Sequence, residues 1–98
     1  MVTADEISDL RNLTLTTRLN GKVVQHAAIG DMIFRIEQLV AYISSFTPLR
    51  PGDVICTGTP GGVGFKRQPA LFMAPGDLVE VEVSGIGILS NRVQDENK

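Results

Sequence analysis

The chain has 98 residues, 43% of them hydrophobic and 20% charged, with a formal net charge of −2. This balance fits one ordinary folded domain and excludes a disordered segment, and the nine basic residues are scattered, offering no stripe to nucleic acid. The single cysteine, Cys56, excludes an internal disulfide, and with no apolar run of about 18 residues and no signal-peptide pattern at Met1 no membrane is implicated and a cytoplasmic protein is expected.

The chain opens with Thr3-Ala4-Asp5-Glu6, a capping box in which the Thr3 hydroxyl and the Glu6 carboxylate can each satisfy a free amide. A capped turn over residues 1–12 follows, with Asp5, Glu6 and Asp9 as capping charges. Leu13 to Leu19 alternates at period two, placing Leu13, Leu15, Thr17 and Leu19 on one face of a half-buried strand. Asn20-Gly21 supplies the positive-φ pair of a type I′ turn, and Lys22 to Ala28 returns antiparallel. The hairpin over 13–28 is therefore expected to bring Val24, His26 and Ala28 to the leucine face.

Gly30 stops that strand, and Asp31 is expected to cap a helix over 31–46. Met32, Ile36, Leu39, Val40 and Ile43 recur at helical spacing, with Phe46 one turn on, and Pro48 ends the run. Residues 51–93 read as strands punctuated by two matching turns, Pro51-Gly52-Asp53 and Pro75-Gly76-Asp77, each a type II turn by composition. The run Val54-Ile55-Cys56 reads as a buried strand, with Cys56 a buried small hydrophobe. Val79, Val81 and Val83 alternate with Glu80 and Glu82, Gly85 and Gly87 turn the chain, and Ile88 to Val93 forms the last strand. A polar tail covers 94–98. The order ββαβββ lacks a βαβ rhythm and predicts an α+β fold, a mixed, mainly antiparallel β-roll with one main helix.

The stretch Thr57-Gly58-Thr59-Pro60-Gly61-Gly62-Val63-Gly64 holds four of the ten glycines. Glycine permits positive φ and close backbone approach, while Pro60 fixes one φ and removes a donor. Exposed amides and two small hydroxyls suit an anionic or carbonyl oxygen. Neither nucleotide fingerprint fits, because Lys66 and Arg67 stand where glycines would be required. On composition alone the favoured reading is a glycine-rich connection between two strands. His26, the only histidine, reads as a packed or partly exposed residue and not as a catalytic base.

Together, Pro51 to Gly64, the run Pro75-Gly76-Asp77-Leu78-Val79-Glu80-Val81-Glu82-Val83 and Gly85-Ile86-Gly87-Ile88-Leu89-Ser90-Asn91 resemble the fumarylacetoacetate hydrolase family. Asn20-Gly21, Gln25 and Asp31-Met32-Ile33-Phe34 also stand where that family has them. The resemblance spans nearly all of 1–98 but corresponds to the C-terminal part of the family's catalytic domain.

The resemblance implies a divalent-metal enzyme acting on 2-oxo or enol carboxylates by C–C bond hydrolysis, decarboxylation or keto–enol isomerisation. It implies Mg²⁺ or Mn²⁺ in the complete enzyme and none for this chain alone. It makes Gly58 and Thr59 contacts to the substrate carboxylate, with Thr57 and Gly61 as weaker candidates. The family uses a Glu-x-Glu pair as metal ligands, but upstream of its Thr-Gly-Thr-Pro signature. Glu80 and Glu82 therefore read as a solvated strand face and not as ligands, and no metal-binding or catalytic residue is assigned. The expected partners are a small oxo-acid and either further copies of the chain or a missing N-terminal segment. The alternative is a catalytically silent β-roll serving interaction or dimerisation.

Overall fold

A computed structural model describes residues 1–96. Two 3₁₀ turns, Ala4–Glu6 and Leu10–Asn12, open the chain. The Thr3 backbone N–H donates to Glu6 Oε2 at 2.7 Å and Asp9 Oδ1 accepts from the Arg11 N–H at 3.0 Å. These carboxylates do cap, but they cap single turns. Hydrogen bonds from Thr3 hold the Glu6 carboxyl below its ordinary value, and bonds from Arg11 do the same for Asp9.

Strands β1 (Thr14–Leu19) and β2 (Lys22–Ala28) form the expected hairpin, and Asn20 and Gly21 take φ of 52° and 81°. Its register differs from simple alternation. Thr17 pairs with Gln25 but Arg18 pairs with Val23, so Val24 is the extra residue of a β-bulge. Opposed residues of an antiparallel pair share a face. His26, opposite Thr16, consequently sits on the face away from the leucines, correcting the expectation from the sequence. Its Nδ1 lies 2.9 Å from Thr16 Oγ1, and Thr16 is the one buried residue among the described residues, while His26 itself is exposed.

The turn Ile29–Asp31 is 3₁₀, and helix α1 runs only from Ile36 to Ser44. Asp31 thus caps no helix. Arg35 occupies the N-cap and its N–H donates to Gln38 Oε1 at 2.8 Å. Ile36, Leu39 and Ile43 form the half-buried stripe, whereas Val40 and Phe46 are exposed.

Both Pro-Gly-Asp turns are present and built alike. Gly52 and Gly76 adopt φ of 97° and 93°, and Asp53 and Asp77 donate their N–H to Arg50 O and Ala74 O at 3.0 Å. Each aspartate also accepts from the N–H three residues earlier at 2.8 Å. Only the second turn leads into a strand. The run Val54-Ile55-Cys56 is not in a strand, and Val54 and Cys56 are exposed. Apolarity marks a run that prefers burial, but a strand also needs a neighbour to take its amides, and no described strand lies beside this one.

Strands β3 (Leu78–Val83) and β4 (Gly87–Arg92) complete a sheet ordered β2-β1-β3-β4 with every pair antiparallel. Leu15, Thr17 and Leu19 oppose Val83, Val81 and Val79, giving one apolar face, and Arg18, Glu80 and Glu82 lie on the other. The fold is α+β, with four strands where five were expected. Among the described residues no apolar residue is buried, and α1 packs little against any strand. The Cα radius of gyration is 15.9 Å, against about 13 Å for a compact chain of this length. The apolar face is therefore half covered by its own chain. Of the expected tail over 94–98, residues 97 and 98 lie outside the described residues.

Candidate functional site

The edge strand β2 supports the glycine-rich loop. Arg67 is the clamp: its Nε donates to Gly62 O at 3.1 Å and its Nη2 donates to Val24 O, the carbonyl of the bulged residue. A planar guanidinium can satisfy two carbonyls at once, which a lysine ammonium does less well. Gly62 has φ of 102°, and a Cβ there would run into the Val24 carbonyl. The approach of the loop to β2 thus requires glycine at that position.

Gln25, next to the bulge, makes the second attachment. Its Nε2 donates to Thr59 Oγ1 at 2.9 Å and to Pro60 O at 3.1 Å. Thr57, Gly58, Thr59 and Pro60 then line an open cavity of about 400 Å³. Its floor comes from Leu15 and Ala27 of the hairpin, and Met32, Ile33 and Phe34 form an apolar side with Asp31 beside them. Gly58 has φ of 93° and nothing within 4 Å of where a Cβ would stand, so its backbone faces open space.

Three of the four residues expected to bind substrate, Thr57, Gly58 and Thr59, come together on this cavity, and Gly61 does not line it. Cys56 and His26 are not part of its lining either. Gln25, Arg67 and Asp31 were not expected as site residues, although Gln25 and Asp31 belong to the resemblance. The roles of Gln25 and Arg67 follow from where the bulge and the loop meet.

The carboxylates do not assemble a metal centre. Among the described residues no group of three or more histidine, cysteine, aspartate or glutamate side chains could hold an ion. Glu82 Oε1 accepts from Arg18 Nη2 at 2.6 Å, and Arg18 stands opposite Glu80. The hydrogen bond to Glu82 raises the Arg18 guanidinium above its ordinary value. A divalent ion here would have to displace that arginine, and these residues do not fit one.

Residues 1–94 match the family model described as fumarylacetoacetate (FAA) hydrolase C-terminal. The mitochondrial oxaloacetate tautomerase of Rattus norvegicus is 43% identical over 93 residues, covering 95% of this chain and 30% of that protein. The mitochondrial oxaloacetate tautomerase of Xenopus laevis is 46% identical over the same share of this chain and 29% of its own. Among solved structures, fumarylacetoacetate hydrolase from Exiguobacterium antarcticum superposes with a TM-score of 0.89 at 35% identity, covering 97% of this chain and 34% of that one. Maleylpyruvate hydrolase from Sphingobium sp. SYK-6, in complex with manganese(II) ion and pyruvate, gives 0.85 at 30% identity, covering 96% and 33%. The chain spans about a third of the length of these relatives. No described helix is long and apolar enough to cross a membrane. By sequence and by fold, the chain belongs to the fumarylacetoacetate hydrolase family.

Proposed function

We propose that this chain is the part of a fumarylacetoacetate hydrolase-family enzyme that grips the carboxylate of a 2-oxo or enol acid. The observation carrying this reading is the cavity edge made by Thr57, Gly58 and Thr59, where hydroxyls and exposed backbone gather over an apolar floor. Amide and hydroxyl donors there would meet the substrate's non-reacting carboxylate, and Met32, Ile33 and Phe34 would exclude water from its carbon chain. The complete enzyme would carry out hydrolysis, decarboxylation or keto–enol isomerisation with Mg²⁺ or Mn²⁺ held by residues outside this chain. The maleylpyruvate hydrolase complex supports an oxo-acid and a divalent ion in the family. A cytoplasmic homodimer is the proposed setting, although the two tautomerases are mitochondrial by name.

A silent interaction module is the rival reading, and the lack of a carboxylate cluster among the described residues favours it. Grafting decides between them. Residues 1–96 replace the matching third of the rat tautomerase, and oxaloacetate keto–enol exchange is followed with and without Mn²⁺. Metal-dependent activity supports the substrate-site reading, and a folded but inactive chimera supports the module.

A further inference from the structure

We propose that Gln25 is a positioning residue that fixes the Thr59 hydroxyl as a hydrogen-bond donor to ligand. The inference rests on the substrate-carboxylate reading of the loop and adds a residue to it. Pro60 O can only accept a hydrogen bond, so the end of the Gln25 carboxamide facing it at 3.1 Å must be the NH₂ group. The same nitrogen lies 2.9 Å from Thr59 Oγ1 and is a donor only, so Thr59 accepts there. A hydroxyl that is already accepting keeps its own proton for another partner. The internal acceptor within reach is Pro60 O at 3.5 Å, the outer limit of a hydrogen bond, so that contact holds the proton only weakly. The Thr59 proton is therefore left for an oxygen in the cavity that Thr59 lines.

Geometry makes Gln25 suited to this. It follows the bulged Val24, its partner across the hairpin is Thr17, and a Cβ on Gly62 would lie 3.1 Å from Gln25 Cγ. The side chain is thus confined between strand and loop, and both of its amide hydrogens are used.

The test is nuclear magnetic resonance on the isotope-labelled chain, titrated with sodium pyruvate as the probe. Gln25→Glu is nearly isosteric but reverses the polarity, since a carboxylate would accept the Thr59 proton and repel Pro60 O. In the wild type, pyruvate should shift the Gly58 and Thr59 amide resonances. Gln25→Glu should weaken that affinity on the order of tenfold or more at neutral pH, the scale of one hydrogen bond to a charged group. The loss should narrow as the pH falls towards about 4.3, the ordinary glutamate value, because a protonated carboxyl donates again. An undiminished affinity, or a loss that does not narrow with pH, overturns the inference. If pyruvate moves no resonance in the wild type, the oxo-acid reading of the loop is what fails. The role of Gln25 is then decided by the Thr59 χ1 couplings: one rotamer in the wild type and averaging in Gln25→Met sustain it. An unchanged rotamer in Gln25→Met overturns it.

Discussion

Asn20, in the β1–β2 turn, donates its Nδ2 to Asp77 Oδ1 at 2.9 Å, joining the hairpin to the turn that launches β3. The same asparagine accepts from the Leu78 N–H through Oδ1 at 2.9 Å and donates its own N–H to Leu78 O at 2.8 Å. One residue at φ 52° thus makes the turn and fixes the register of β1 on β3. Asn20→Ala should lose both side-chain bonds and meet the left-handed penalty of roughly 1–2 kcal/mol. For a chain of this size that corresponds to a fall in Tm of several degrees, about 4–8 °C per kcal/mol, measurable by circular dichroism.

Hydrogen bonds from Asn20 and from the Ala74 amide hold the Asp77 carboxyl below its ordinary value. A carboxylate whose folded value is depressed contributes stability above its unfolded value, near 3.9, and loses it as pH falls through the folded value. Denaturant melts between about pH 5 and 2 should therefore decline less steeply in Asp77→Asn than in the wild type. Equal slopes would show that this bond has no weight in acid.

The clamp on the loop predicts a local effect. Arg67→Met removes the bonds to Gly62 O and Val24 O but keeps the aliphatic stem. Amide exchange should quicken across residues 58–64 on the order of tenfold, while β1 and β3 keep their protection. Gly62→Ala should act the same way and cost more stability than Gly58→Ala. Both carry a positive φ, but only Gly62 has the Val24 carbonyl in the path of a Cβ.

The hairpin, the two Pro-Gly-Asp turns and the β3 alternation were legible in the sequence because each depends on neighbours within a few residues. The bulge at Val24 was not, since Lys22 to Ala28 carries no residue that demands an extra backbone unit, and missing it placed His26 on the wrong face. The 54–56 strand failed for a different reason: its composition is right, but among the described residues no strand pairs with it. At the site, the Thr57 to Gly61 stretch was visible by its glycines and its resemblance. Gln25 and Arg67 were not visible as site residues, because only the meeting of β2 with the loop gives them a role.

The exposed apolar side chains have their own consequence. Leu89, opposite Val81 on the apolar face of the sheet, is more than half exposed, and so are Phe34, Phe65, Phe72 and Met73 outside the strands. Patches on this scale mark interfaces. The isolated chain should self-associate at micromolar concentration and bind an apolar dye. A monomer mass by light scattering without dye binding would contradict this.

The most direct measurement of the account is kcat/KM of the tautomerase chimera carrying Thr59→Val. The substitution keeps shape and removes the donor, and a hydrogen bond to a charged group contributes ~1.5–3 kcal/mol, so kcat/KM for oxaloacetate should fall on the order of 10–150-fold. Thr59 is exposed at the cavity edge, so Tm should hardly move, and because it holds the non-reacting end of the substrate much of the loss should appear in KM. Thr59→Ser, which retains the hydroxyl, should keep most of the activity. Unaltered kinetics in Thr59→Val would contradict the account and leave the loop a turn.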